Sequence, residues 1–132
     1  MSAVSQIRTR HFPGRLEAVG QIRWFVAGLV DGLPRAYDIT LCASELAANA
    51  IEHTASGEAG GTVEVRVDLA PAGRPGALTL AVVDQGPPRV PHPRRPAEES
   101  GRGLLLVGEL VDDICRTATT TTITFDRKRE GA

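Results

Sequence analysis

Apolar residues recur along the chain at two periods, and the changes of period mark its elements. Leu16, Val19, Ile22, Val26, Leu29, Val30 and Leu33 follow at three- and four-residue steps, which predicts one face of an amphipathic helix ended by Gly32 and Pro34. A second helix is expected over 36–54, with Ile39, Ala43, Leu46, Ala47, Ala50 and Ile51 apolar, before Ser56-Gly57 and Gly60-Gly61 break the pattern. Over 62–69 the period falls to two. Val63, Val65, Val67 and Leu69 alternate there with polar residues, as in a strand with one buried face. The more continuous apolar run 77–84 suits a central strand, and 70–76 between the two reads as a hairpin loop. A short strand over 5–12, with poor alternation, precedes the first helix, and Phe12-Pro13-Gly14 closes it.

Five of the nine prolines fall within 87–96, which excludes regular structure there. A third helix follows over roughly 103–111, with Leu104, Leu105, Val107 and Leu110 apolar. The Thr-rich, β-branched run 114–125 fits one or two closing strands. This order predicts an α+β fold, a two-layer sandwich with the helices on one face of a mainly antiparallel mixed sheet. No repeat or linking stretch appears, so 1–132 is expected to be a single domain.

Composition narrows the function classes. Fifteen Lys and Arg against sixteen Asp and Glu give a net charge of −1, which argues against direct nucleic-acid binding. One Trp, one Tyr and three Phe are too few for a base-stacking platform. No apolar run is long enough to span a bilayer and the N-terminus has no secretory pattern, so the expected location is cytoplasmic. Cys42 and Cys115 stand alone in apolar stretches, and both read as small buried hydrophobes without a metal or redox role.

Three short motifs could carry chemistry. Glu45, Asn49 and His53 lie four residues apart on the second helix and form one stripe beside its apolar face. The apolar strand 78–83 ends in Asp84-Gln85-Gly86, which places a carboxylate at a strand exit with flexible backbone beyond it. Gly101-Arg102-Gly103 would open the third helix, where free N–H groups can cradle a phosphate. Alone, the helix stripe reads first as an ordinary polar flank, and the other two motifs are weak signals that an ordinary turn and a loop–helix junction also give. Arg89, Arg94, Arg95 and Arg102 against Glu98 and Glu99 make the proline-rich segment locally basic, as a cover over a polyanion would be. Trp24 falls opposite the apolar stripe of the first helix, which suits a partner contact with Arg15 and Arg23 as its polar rim.

Taken together and in this order, ELAANAIEHT at 45–54, VVDQGPP at 82–88 and SGRGLLLV at 100–107 resemble the N, G1 and G2 boxes of one ATPase superfamily. That superfamily, GHKL, contains gyrase, histidine kinases and mismatch-repair ATPases. Within it the chain is most similar to the small anti-sigma regulatory factors, which are serine-protein kinases. The resemblance implies a Bergerat-type ATP-binding fold with ATP and Mg²⁺ as cofactors. It implies Glu45 as the general base toward a partner's serine and Asn49 as the Mg²⁺ ligand. Asp84 matches the acceptor of the adenine amino group, and Gly86 the close approach of backbone to nucleotide. Gly101, Arg102, Gly103 and Leu104 fall at the phosphates, Thr121 near adenine, and about 87–100 in the ATP lid. His53 fits the pattern without a chemical role.

The implied partners are a sigma factor and a small antagonist protein, and monomer and homodimer stay open. Two positions depart from the usual text. Pro88 stands where the DxGxG box has its second glycine, and Thr120 where a glycine usually precedes the sheet threonine. They bear on nucleotide affinity and lid closure, and they support an alternative from another class: a nucleotide-gated protein-binding module without phosphotransfer.

Overall fold

The structure, a computed structural model, describes residues 6–71, 73, 76–90 and 97–126, with the side chains of 97–102 outside the description. Among these residues, five strands and three α-helices follow in the order β1 (Ile7–Pro13), α1 (Val19–Val30), α2 (Ala36–His53), β2 (Thr62–Asp68), β3 (Ala77–Val83), α3 (Ala97–Leu110), β4 (Asp113–Arg116) and β5 (Thr120–Asp126). The strands form one sheet in the order β1-β2-β3-β5-β4, and all four ladders are antiparallel. Helices cover one face, so the expected two-layer α+β sandwich is what the chain adopts.

Period-two alternation in β2 buries Val63, Val65 and Val67 and turns Glu64 and Arg66 to the other face. There Glu64 meets His11 of β1 at 3.0 Å and Arg66 at 2.5 Å, polar partners that suit an uncovered sheet face. Central β3 is the most apolar strand, and its Leu78 and Leu80 pair with Phe125 and Ile123 of β5. Ile22, Val26 and Val30 of α1 pack with Ile39, Cys42, Ala43, Leu46 and Ala47 of α2 above this sheet. The small residues of α2 let the helix lie close to its neighbours.

Two boundaries and the placement of one cysteine differ from the sequence expectation. The first helix divides into a one-turn 3₁₀ segment, Leu16–Ala18, and α1, which leaves Leu16 51% exposed instead of on the buried stripe. The third helix begins at Ala97, six residues before the expected start, because Ala97, Glu98 and Glu99 are strong helix formers and continue the pattern upstream. Cys115 is exposed on the edge strand β4, where no element covers it, while Cys42 is fully buried as expected. Trp24 is 83% exposed and Tyr37 77%, and with Arg23 they border a shallow depression between α1 and α2. Arg15 lies elsewhere, beside Gly14 and Glu58, so it forms no rim around Trp24.

Arg35 ties the helices to the sheet edge. Its side chain is 8% exposed, donates to Asp112 Oδ2 at 2.8 Å and to the Leu110 carbonyl at the end of α3, and stacks over Phe125 at 4.9 Å. Asp112 Oδ2 also accepts from the Asp126 N–H of β5 at 2.8 Å. Arg35 has a φ of 65°, a conformation that a side chain holds only where such contacts over-determine it.

Removing one partner of a buried pair leaves the other charge uncompensated. Arg35→Ala is therefore expected to cost about 3–5 kcal/mol in chemical denaturation, and loss of under ~1 kcal/mol would contradict the tie. For the thiols, burial and then Asp38 push Cys42 up to about 12 from 9.0. The folded chain thus keeps a proton that the unfolded chain releases, so this group's contribution is complete below pH 9.0 and declines as pH rises toward 12. A thiol reagent should titrate Cys115 alone in the native protein and both cysteines after unfolding.

Candidate functional site

The centre of the site is the exit of β3. Asp84 follows the last strand residue, is 6% exposed, and its N–H donates to the Thr119 carbonyl at 2.7 Å. Its Oδ1 accepts from the Gly86 N–H at 2.7 Å, a short-range turn that fixes the carboxylate's direction. Gly86 has a φ of +86°, in the region that a side chain disfavours.

The end of α2 bolts this turn in place. Ala55 N–H donates to the Gly86 carbonyl at 2.9 Å, and Gln85 N–H to Ser56 Oγ at 3.0 Å, with Ser56 wholly buried. Thr54 Oγ1 donates to the Ala50 carbonyl and accepts from the Ser56 N–H, ending the helix in a tight corner. Gly57 and Gly61 are there for space. A Cβ on either would collide with backbone, of Ile51 and of Ser56 respectively. The sequence marks these residues only as helix breakers, yet they carry the joint that positions Asp84.

Above the carboxylate lies a cleft of about 720 Å³ between α2, α3 and the sheet, a volume suited to a nucleotide-sized ligand. Of the residues predicted from sequence, it brings together Asn49, His53, Asp84, Leu104 and Thr121. Leu46, Ala50 and Val82 supply its apolar walls. Asn49 Nδ2 is buried and has no hydrogen-bond partner among the described residues, an orphaned polar group on the cleft wall. His53, on the last turn of α2, faces both this cleft and a second, more open depression beyond it, with Nε2 3.9 Å from Glu52 Oε2.

Glu45 and the glycine motif stand differently from the expectation. Gly101 and Gly103 lie inside α3, so they do not offer the free N–H groups of a helix start. Gly103 instead faces α2, where the flexible end of the Glu45 side chain, Oε2, occupies the space that a Cβ would take. The Glu45 carboxylate thus rests against Gly103 and is not among the groups lining the cleft. The Arg102 side chain, Arg94, Arg95 and the middle of the expected lid, 91–96, lie outside the described residues. Of the lid expected over about 87–100, residues 97–100 are helical. Its first residues are irregular, and the Arg89 and Val90 N–H groups both donate to Glu58 Oε2, at 2.7 and 3.0 Å. Glu58 thus holds the chain just after Pro88.

One cleft residue escaped the sequence reading. Arg116 of β4 lies opposite Thr121 of β5 and reaches across it toward Asp84. The signal was the short hairpin: residues on either side of a tight turn share a face of the sheet.

A comparison with protein families matches residues 12–126 to the histidine kinase-like ATPase domain. The chain belongs to that family. No curated protein sequence matches it. Membership in the histidine kinase-like ATPase domain family makes ATP the ligand against which the cleft is to be measured. The cleft fits: it holds a buried carboxylate, an amide on α2 whose Nδ2 donor is free for a ligand acceptor, and apolar walls. Among the described residues no group of three His, Cys, Asp or Glu side chains could hold a metal alone. Asn49 could ligate Mg²⁺ only together with oxygens from the nucleotide. Among them also, no helix is long and apolar enough to cross a membrane.

A Cβ at Gly86 meets open space, so Gly86→Ala tests backbone conformation alone. It is expected to destabilise the fold by about 1–2 kcal/mol in chemical denaturation, with weaker ATP binding because Asp84 loses its turn. An unchanged midpoint would contradict the strain at this position.

Proposed function

We propose that this chain is an anti-sigma regulatory factor with serine/threonine-protein kinase activity. In this reading it binds ATP with Mg²⁺, phosphorylates a serine on a small antagonist protein, and sequesters a sigma factor. The observation that carries the nucleotide half is that Asp84, buried, and Asn49, whose buried Nδ2 donor lacks a partner among the described residues, line the same cleft. The protein half rests on the text around Glu45, Asp84 and Gly101–Gly103, which is similar to that of the anti-sigma kinases.

Each residue's part follows from its chemistry. Asp84 accepts a hydrogen bond from the adenine amino group, with Thr121 beside it and the apolar walls enclosing the ring. Asn49 presents an amide oxygen as a hard ligand for Mg²⁺, which supplies neutralising charge between phosphate oxygens when bound. Gly101, Arg102, Gly103 and Leu104, on the first turns of α3, lie on the phosphate side. Glu45 accepts the proton of the attacking serine hydroxyl as its oxygen bonds to the γ-phosphorus and the bond to the β-phosphate oxygen breaks. For that step the Glu45 carboxylate must swing away from Gly103 toward the γ-phosphate.

The position of Glu45 favours a second reading. With its carboxylate against Gly103, the chain could bind ATP and release a protein partner without phosphotransfer. Incubation with labelled ATP and the antagonist protein that co-purifies separates the two. A kinase gives serine phosphorylation that falls about 100-fold or more in Glu45→Ala, with ATP affinity changed far less. Transfer that survives Glu45→Ala would remove the general-base assignment, and no transfer to the cognate partner would leave the binding module.

A further inference from the structure

Arg116 stands at the base end of the cleft, and its placement follows from the sheet. Across the register Val65, Val82, Thr121 and Arg116 form one row on the helix-covered face, and Arg116 ends that row on the edge strand. Among the described residues β4 is the edge strand, and this side chain folds inward along its own row. Arg116 Nη1 donates to Thr121 Oγ1 at 2.5 Å, and Nη2 reaches Asp84 Oδ2 at 3.5 Å. Asp84 Oδ1 is already engaged by the Gly86 N–H, so Oδ2 is the oxygen left for a ligand, and Arg116 faces it.

We propose that Arg116 is a self-inhibitory latch on the nucleotide cleft. Its planar fork takes the two acceptors, Asp84 Oδ2 and Thr121 Oγ1, that an amino-bearing purine would use, and it must swing out before the base can seat. The proposal deepens the nucleotide reading above and rests on it. Three observations support a latch over a structural pair. The Arg116 side chain is 56% exposed while that of Asp84 is 3% exposed, so the arginine can leave into water and the carboxylate cannot. The contact to Asp84 is long, which makes it weak enough to exchange for an incoming N–H donor. The residues it would uncover, Asp84, Thr121 and Val82, are cleft-lining residues, and Arg116 is itself part of that lining.

Release of the latch also has a thermodynamic sign. In the free protein Arg116 partly satisfies a buried carboxylate, and the base must replace that interaction. Removing the guanidinium leaves Oδ2 short of a donor, so an adenine amino group gains more on arrival. Ligand affinity for the base end should therefore rise when Arg116 is lost, whereas removing a cation near a polyphosphate would by simple Coulomb attraction lower it. The two effects have opposite signs, and an uncharged ligand isolates the first.

The test compares binding of adenosine and of magnesium tripolyphosphate to wild type, Arg116→Ala and Arg116→Lys, by NMR titration. The latch predicts adenosine binding that is roughly two- to fivefold tighter in Arg116→Ala, the gain expected from releasing a largely exposed ion pair. Tripolyphosphate should bind no tighter than to wild type. Arg116→Lys, which keeps the charge but lacks a fork spanning both acceptors, should fall between the two. Adenosine affinity that is unchanged or weaker in Arg116→Ala would overturn the latch, as would a lysine variant indistinguishable from wild type. Asp84→Asn tells the two levels apart. If adenosine binds wild type but not Asp84→Asn, and Arg116 is without effect, only the latch fails. If Asp84→Asn binds as well as wild type, the nucleotide reading fails and takes the latch with it.

Discussion

A carboxylate buried at the end of a central strand must be held in place, and much of this fold serves to hold Asp84. The strand delivers it, the Thr119 carbonyl receives its N–H, and Gly86 turns back to bond Oδ1. The corner after α2 then locks that turn through Ala55 and Ser56, at a spacing so close that Gly57 and Gly61 admit no side chain. Because α2 also carries Asn49 and His53, one joint fixes the relation between the helix that would meet the phosphates and the carboxylate that would meet the base. The cleft owes its shape to this joint, with α3 and the edge strand closing its other sides.

The far end of the molecule is pinned in a comparable way. Arg35 binds the last carbonyl of α3, that of Leu110, and the Asp112 carboxylate, so α3 is anchored at its C-terminal end near the sheet edge. Further toward its N-terminal end, α3 meets α2 at Gly103, beside Glu45. Polar self-occupation recurs at the site, with Glu45 against Gly103 and Arg116 against Asp84 and Thr121. In this structure Glu45 and Asp84 are both turned toward groups of their own chain, while Asn49 faces the cleft.

Most of the fold was legible because one period governs each element. The alternation of Val63, Val65 and Val67, the four-residue steps of Ile22, Val26 and Val30, and the glycine corners are local signals. The start of α3 was missed because prolines and a Gly-Arg-Gly motif suggested a loop, whereas Ala97, Glu98 and Glu99 already favour helix. Leu16 obeyed the apolar spacing but lies in a 3₁₀ turn, where that spacing no longer points to the core. Of the site, Asn49, Asp84 and Thr121 were readable from their motifs. Arg116 was not, since its role depends on strand pairing across the hairpin. The partner of Glu45 depends on how two helices pack, and no linear spacing encodes that.

The central claim is that Asp84 is the base-recognition end of an ATP cleft. Calorimetric titration of Mg-ATP into wild type and Asp84→Asn tests it most directly. The substitution keeps size and removes the charge that strengthens the accepted hydrogen bond. Binding to wild type with affinity lowered roughly tenfold to a hundredfold in Asp84→Asn is the predicted result. Equal affinity in the two proteins, or no binding to either, would contradict it.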